Sequence, residues 1–263
     1  MTTPLLVEKR QSVLTLTLNR PEIRNAFDDA QIERLTRALR DAEADSGVRV
    51  VVIAGNGSAF CAGADLNWMK RMAGYSYEQN LADAAALAEM LKTLDRMSKP
   101  TLARVHGPAF AGGTGLVAAC DIALGTPGAQ FCLSEAKLGL SPATISPYVV
   151  RAMGARMARR YFLTAEVFDA AEAHRIGLLS ALVPAAELDA ALDGLVTQLL
   201  AGGPRAIAAI KDLIRAVSAG AVDETMIADT ARRIAEIRVS AEGREGIASF
   251  LEKRKPAWAA GEA

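Results

Sequence analysis

The stretch Pro108-Ala109-Phe110-Ala111-Gly112-Gly113-Thr114-Gly115-Leu116-Val117 lies between a β-like run, Thr101 to His106, and an apolar helix-like run, Leu116 to Cys120. Three glycines fall within four of its positions. Glycine lets backbone approach a ligand closely, and a helix start leaves N–H groups free where the helix dipole favours negative charge. Such a turn is suited to holding a developing oxyanion. Position 115, inside the same turn, carries no side chain at all.

Working outward, the same strand-then-loop arrangement occurs earlier, where Val50 to Ala54 leads into Ser58-Ala59-Phe60-Cys61-Ala62-Gly63-Ala64-Asp65-Leu66. Leu5 to Val7 and Val13 to Leu18 read as strands, the second by its alternation. Asp28 or Asp29 caps a helix whose apolar face is Ile32, Leu35, Ala38, Leu39 and Ala42. Ser76 with Gln79 forms a capping-box pattern that opens a helix running to about Met97. Asp121 to Leu124 and Gln130 to Leu133 repeat the strand pattern. From about Ile145 helical patterns dominate: Tyr148 to Thr164, Ala170 to His174, Ala185 to Leu200, a run through Ile207 and Val217, and Gly243 to Lys255. The reading is an α/β core over residues 1–195 with a docked helical C-terminal region over 196–263.

Bulk properties exclude several classes of function. The chain has 263 residues, enough for a sizeable core, and its 30 basic and 30 acidic side chains cancel. That balance points away from nucleic acid and from an anionic membrane surface. Cys61, Cys120 and Cys132 are scattered without metal-like spacing and read as reduced core residues, so no metal site is expected. The N-terminal MTTPLLVEKR lacks a leader pattern and no apolar run is long enough to span a bilayer, which predicts a cytoplasmic protein. The glycine loops match neither Gly-x-Gly-x-x-Gly nor a phosphate-binding P-loop, and no Gly-x-Ser-x-Gly elbow supports a serine hydrolase.

Several motifs in order carry a resemblance. Asn19-Arg20-Pro21-Glu22-x-Arg24-Asn25-Ala26, Phe60 to Leu66, His106-Gly-x-Ala-x-Ala-Gly-Gly113, Cys120-Asp-Ile122, Phe131 to Glu135 and Phe250 to Lys255 together resemble the enoyl-CoA hydratase/isomerase (crotonase) family. Asp65 to Met69, Pro108 to Phe110 and Leu133 to Leu140 are most similar to its bacterial 3-methylglutaconyl-CoA and carboxygeranoyl-CoA hydratases. The resemblance implies an α/β crotonase (ClpP-like) superhelix of repeated ββα units, with C-terminal helices that form a homotrimer or a hexamer of two trimers. It implies an acyl-CoA substrate and no further cofactor, coenzyme A being part of the substrate.

By position, the resemblance assigns the backbone N–H groups of Ala64 and Gly112 to the enolate oxygen of the thioester, and Glu135 to acid–base work. It assigns coenzyme contacts to Arg24, Ala26, Ala62 and Asp65, with Phe250 and Lys253 reaching the coenzyme from a neighbouring subunit. The second glutamate of hydratases in this family falls on Gly115, which cannot serve. Hydration through one carboxylate is the leading expectation. An isomerase that shifts a double bond with a single glutamate, and a non-catalytic acyl-CoA binder, are its rivals. Thr114, Ser141 and Tyr148 are candidate helpers for water, and Lys70, Arg71 and Arg104 candidates for a distal carboxylate. Trp68, Met69 and Met72 read as lid, pocket wall or core.

Overall fold

Alternating apolar residues and side-chain caps set the first elements. In the computed structural model, which describes residues 3–218 and 220–259, β1 (Leu5–Arg10) and β2 (Val13–Leu18) pair as an antiparallel hairpin. Met1 and Thr2, at the head of the stretch read for a leader, lie outside the described residues, as does the end of the 196–263 segment. Asp28 accepts from the Gln31 N–H and starts α1 (Asp29–Ala44), which buries Ile32, Leu35, Leu39 and Ala42. β3 (Val50–Gly55) is buried along its whole length, as a strand covered on both faces must be. After α2 (Leu66–Met72), a complete Ser76–Gln79 capping box opens α3 (Tyr77–Arg96).

The middle of the chain alternates strand and helix: β4 (Thr101–Val105), β5 (Ala109–Phe110), α4 (Gly112–Ala119), β6 (Ile122–Gly125), β7 (Gln130–Cys132) and α5 (Ser146–Thr164). Then come β8 (Phe168–Asp169), α6 (Ala170–Arg175), β9 (Ala181–Leu182) and the helices α7 (Leu188–Ala201), α8 (Pro204–Val217), α9 (Glu224–Val239) and α10 (Ala241–Leu251). The main sheet has the order β1-β2-β3-β4-β6-β9, parallel from β2 onward, and β5-β7-β8 form a second, small sheet. Single bridges extend that second layer, Phe27 to Ala64 and Cys61 to Ala109. Each turn of the chain therefore lays one strand in the main sheet and one short segment in the second layer before its helix. This is the repeating ββα unit that the resemblance implies.

The helical region docks through packing and one buried cation. Leu188, Leu192 and Leu200 of α7 cover Val50, Val52, Leu102 and Leu124 on one face of the main sheet. The buried Lys211 of α8 donates to Asp121 Oδ2 at 2.5 Å and to the Lys99 carbonyl at 2.8 Å. Asp121, from the Cys-Asp-Ile motif, also accepts from the Thr101 N–H and hydroxyl. Glu242 of α10 accepts from the Arg205 and Ala206 N–H groups and so caps α8 from outside. No helix among the described residues is long and apolar enough to cross a membrane.

One helix end departs from expectation. α10 stops at Leu251 rather than continuing to Lys255, because Lys253 turns left-handed (φ 54°). The Arg254 N–H then reaches back to the Ser249 carbonyl and the Lys253 N–H to that of Phe250, the two bonds of a Schellman stop. Phe250 thus lies in the last turn of α10, and Lys253 lies beyond it.

Candidate active site

Three successive turns of the repeat each carry one of the three candidate groups, Ala64, Gly112 and Glu135. In the first, the bridge between Phe27 and Ala64 uses the Gly63 carbonyl, 2.6 Å from the Phe27 N–H, and the Asp65 N–H, 2.7 Å from the Phe27 carbonyl. In a parallel bridge the residue between those two points its own N–H the other way. The Ala64 N–H accordingly has no acceptor among the described residues. In the second turn, the Phe110 N–H goes to the Cys61 carbonyl and the Ala111 N–H to that of Cys132. The Gly112 N–H, next in line and first in α4, also has no acceptor there and lies at the positive end of that helix.

Glycine is required where these two loops touch. A Cβ on Gly113 would lie 2.4 Å from the Cys61 carbonyl oxygen, and Gly63 (φ 93°) would bring one to 3.3 Å from the Ala111 Cβ. Ala111 itself sits at φ 46°, ψ −116°, a conformation that an L side chain resists. This bend turns β5 into α4 and sets the direction of the Gly112 N–H. Ala111→Gly is expected to relieve the strain and stabilise the fold by about 1 kcal/mol, the strain outweighing the extra chain entropy. A thermal melt of that variant at or below the parent's would show the bend to be unstrained.

In the third turn Glu135 follows β7 on a short 3₁₀ segment, Ser134–Leu138. Its Oε2 is buried and has no hydrogen-bond partner. Burial pushes the carboxyl above its ordinary range, although the residue's own backbone N–H opposes this in part. A desolvated carboxylate with an unpaired oxygen is what proton transfer to and from a bound substrate needs. At Gly115 the space a side chain would take is filled by Ile145, whose Cγ2 lies 2.3 Å from the position of a Cβ.

Comparison with known proteins shows the family. The sequence model for enoyl-CoA hydratase/isomerase matches residues 8–261. The chain belongs to the enoyl-CoA hydratase/isomerase family. It is 35% identical to a putative enoyl-CoA hydratase of Thermus thermophilus, covering 93% of this chain and 96% of that one. It is 34% identical to the 2,3-dehydroadipyl-CoA hydratase of Escherichia coli K12, covering 96% and 97%. The crystal structure of an enoyl-CoA hydratase from Shewanella pealeana superposes with a TM-score of 0.95 at 43% identity, over 97% of this chain and 96% of that one.

In this family member the remaining site residues divide by what they touch. The exposed Arg24 is left-handed (φ 54°), and its carbonyl takes the Ala62 N–H, so Ala62 contributes no free donor. Ala26 is buried, its carbonyl facing Arg20. Asp65 is turned inward: one oxygen caps α2 through the Asn67 and Trp68 N–H groups, and the other faces Arg20 at 3.4 Å. It closes the loop from within. Phe250 is 82% exposed at the end of α10, which packs on α8 and α9.

Sequence reasoning missed two residues that hold the first loop. Arg20 joins Asp28, at 2.6 Å, to Asp65, so one guanidinium ties α1 to α2. The buried Asn25, left-handed at φ 58°, donates to the Asn56 and Ala59 carbonyls and accepts from the Arg20 N–H. An asparagine four residues after the Arg20-Pro21 pair was the available signal, since asparagine tolerates that conformation.

Other candidates are occupied elsewhere. Thr114 donates to the Ala109 carbonyl in the core, and Tyr148 lies under Arg151, its hydroxyl's pKa raised by burial and then by Asp95. Ser141 is exposed. Arg71 pairs with Asp29 and Arg104 with Asp189, whereas the exposed Lys70 has no carboxylate partner among the described residues. Trp68 is buried and donates to Asp83, fixing α2 on α3, with Met69 and Met72 half-buried. The three cysteines are free, and burial pushes the Cys61 thiol up to about 12, away from nucleophilic use. A cleft of about 1090 Å³ lies on the Val52 face of the main sheet beside α7 and is bordered by none of Ala64, Gly112 and Glu135.

Proposed function

We propose that this enzyme adds water to the C2=C3 bond of a 2-enoyl-CoA thioester, on one face of the alkene. The observation that carries this reading is the buried, unpartnered Glu135 oxygen in a fold that leaves the Ala64 and Gly112 N–H groups without acceptors. As the water oxygen bonds to C3, electron density moves to the thioester oxygen, and two fixed donors stabilise it most at that moment. Glu135 takes the water's proton and returns it to C2, so one carboxylate serves as base and then as acid.

Short or branched acyl groups, glutaconyl-type among them, are the proposed substrates. The name of the Escherichia coli relative describes a thioester with a distal carboxylate, and of Lys70, Arg71 and Arg104 it is Lys70 that has no carboxylate partner among the described residues. Arg24, Ala26, Ala62 and the loop closed by Asp65 would flank the coenzyme. Phe250 and Lys253 would meet it across a subunit boundary. A homotrimer, or a hexamer of two trimers, would cover Ile210, Ile214, Ile227, Ile234, Ile247 and Phe250, which are exposed on α8, α9 and α10.

The packing of Ile145 at Gly115 favours a second reading, an isomerase that moves a double bond from C3 to C2 with Glu135 alone. A panel of 2-enoyl- and 3-enoyl-CoA thioesters in oxygen-18 water separates the readings. A hydratase bleaches the enoyl-thioester absorbance and incorporates the label, whereas an isomerase shifts the double bond without it. A protein that does neither, yet melts later with coenzyme A present, is a binder.

A further inference from the structure

We infer that Ile145 is a specificity-determining residue, closing the place from which a second acid–base group would act and so setting the balance between hydration and double-bond shift. The inference rests on Glu135 as the acid–base residue. Gly115 lies three residues after Gly112 in α4, and residues at that spacing share a helix face. A side chain at 115 would therefore stand on the same helix face as the α-carbon of Gly112, one turn behind the helix end from which the Gly112 N–H points.

That space is taken. Ile145 Cγ2 and Cβ lie 2.3 and 2.8 Å from where a Gly115 Cβ would be, and Ile145 is 2% exposed at the head of α5. Its branched β-carbon holds one rotamer and gives it little room to swing aside. The bare α-carbon at 115 thus makes room for a methyl group, not for water. Gly115 and Ile145 form one device, and neither is explained without the other.

The consequence is chemical. Hydration forms a C3–O bond from water and a C2–H bond; with one carboxylate, the proton Glu135 takes from the water is the proton it gives to C2. A double-bond shift removes a proton from C2 and returns it to C4, consuming no water, and needs no group to orient one. An apolar wall at Ile145 leaves the shift unaffected and withdraws help from hydration.

Four variants test this: Gly115→Glu, Ile145→Ala, the two combined, and Ile145→Thr, which keeps the branch but offers a hydroxyl. The readouts are the melting temperature and the ratio of label incorporation from a 2-enoyl-CoA to isomerisation of its 3-enoyl counterpart. Gly115→Glu alone should lower the melting temperature by about 5 °C or more, as overpacking does, and Ile145→Ala should restore most of that loss. The combined variant should raise the ratio roughly 100-fold over the parent, the scale of one acid–base group. Ile145→Thr should raise it in the same direction, and it decides the matter if the combined variant does not fold.

A Gly115→Glu protein that melts like the parent overturns the pairing. An unmoved ratio in the folded combined variant, or in Ile145→Thr when that must stand in, overturns the role in specificity. A merely structural Ile145 moves the melt and not the ratio. Retention of turnover by Glu135→Gln sinks the acid–base reading instead, whatever Ile145 does.

Discussion

Glu135→Gln is expected to lower kcat on the best enoyl-CoA roughly 100- to 10,000-fold, the range for loss of a positioned acid–base group, with KM little changed because the amide keeps the shape. The same change should stabilise the protein at neutral pH. Burial raises the Glu135 carboxyl in the folded state above its ordinary value of 4.5. A raised folded value means that the carboxyl's favourable contribution is complete below pH 4.5 and is lost as pH rises through the folded value. Above that window the native protein holds a desolvated charge that the glutamine variant lacks. Melts of both proteins should therefore separate at pH 7.5, with the variant higher, and converge near pH 4. A variant that is as active as the parent, or that melts lower at pH 7.5, places the proton work elsewhere. The same shift puts the acid limb of the native pH–rate profile above pH 4.5, with activity rising as Glu135 ionises.

Much of the fold is legible in the sequence. Alternation marked Val13 to Leu18, a continuous apolar run marked Val50 to Ala54, and the Asp28 and Ser76–Gln79 caps appear as their chemistry dictates. Of the second layer only β7 was legible, as Gln130 to Leu133; β5 and β8 were hidden because they are two residues long, too short for a period to show, and form only against β7. α9 lacked a signal for a different reason: it buries no residue in this chain, so its apolar positions form no stripe against a core. At the site, residue identities could be read but not the directions of main-chain groups. The orientation of the Ala64 N–H follows from one bridge to Phe27, and that of Gly112 from a strained Ala111, neither of which has a sequence signature. The occupant of the Gly115 space was equally out of reach, since Ile145 is 30 positions away along the chain.

Replacing the Gly112 residue by glycolic acid, which turns its N–H into an ester oxygen, should cost roughly 100- to 1000-fold in kcat. The change is made in the backbone because no side chain carries this function. It is well placed to be clean: Gly112 is the first residue of α4, where the N–H has no intrahelical partner, so no helical bond is lost with it. The ester also weakens the Ala111 carbonyl, which accepts from the Gly115 N–H at 3.1 Å, so a melt of the variant must accompany its kinetics. Gly112→Ala is the matched control. It retains the N–H and adds a methyl 3.2 Å from the Phe27 ring, a contact that the ring must yield to by a few tenths of an ångström. If stabilisation of thioester charge by this donor drives the reaction, the ester falls far below the alanine variant, mainly in kcat, since the charge develops only toward the transition state. Equal losses in both would mean that Gly112 matters for the space it leaves rather than for the proton it offers. Because the enolate forms in a double-bond shift as well as in hydration, the ester should depress both reactions together, whereas exchange at Ile145 should move one against the other.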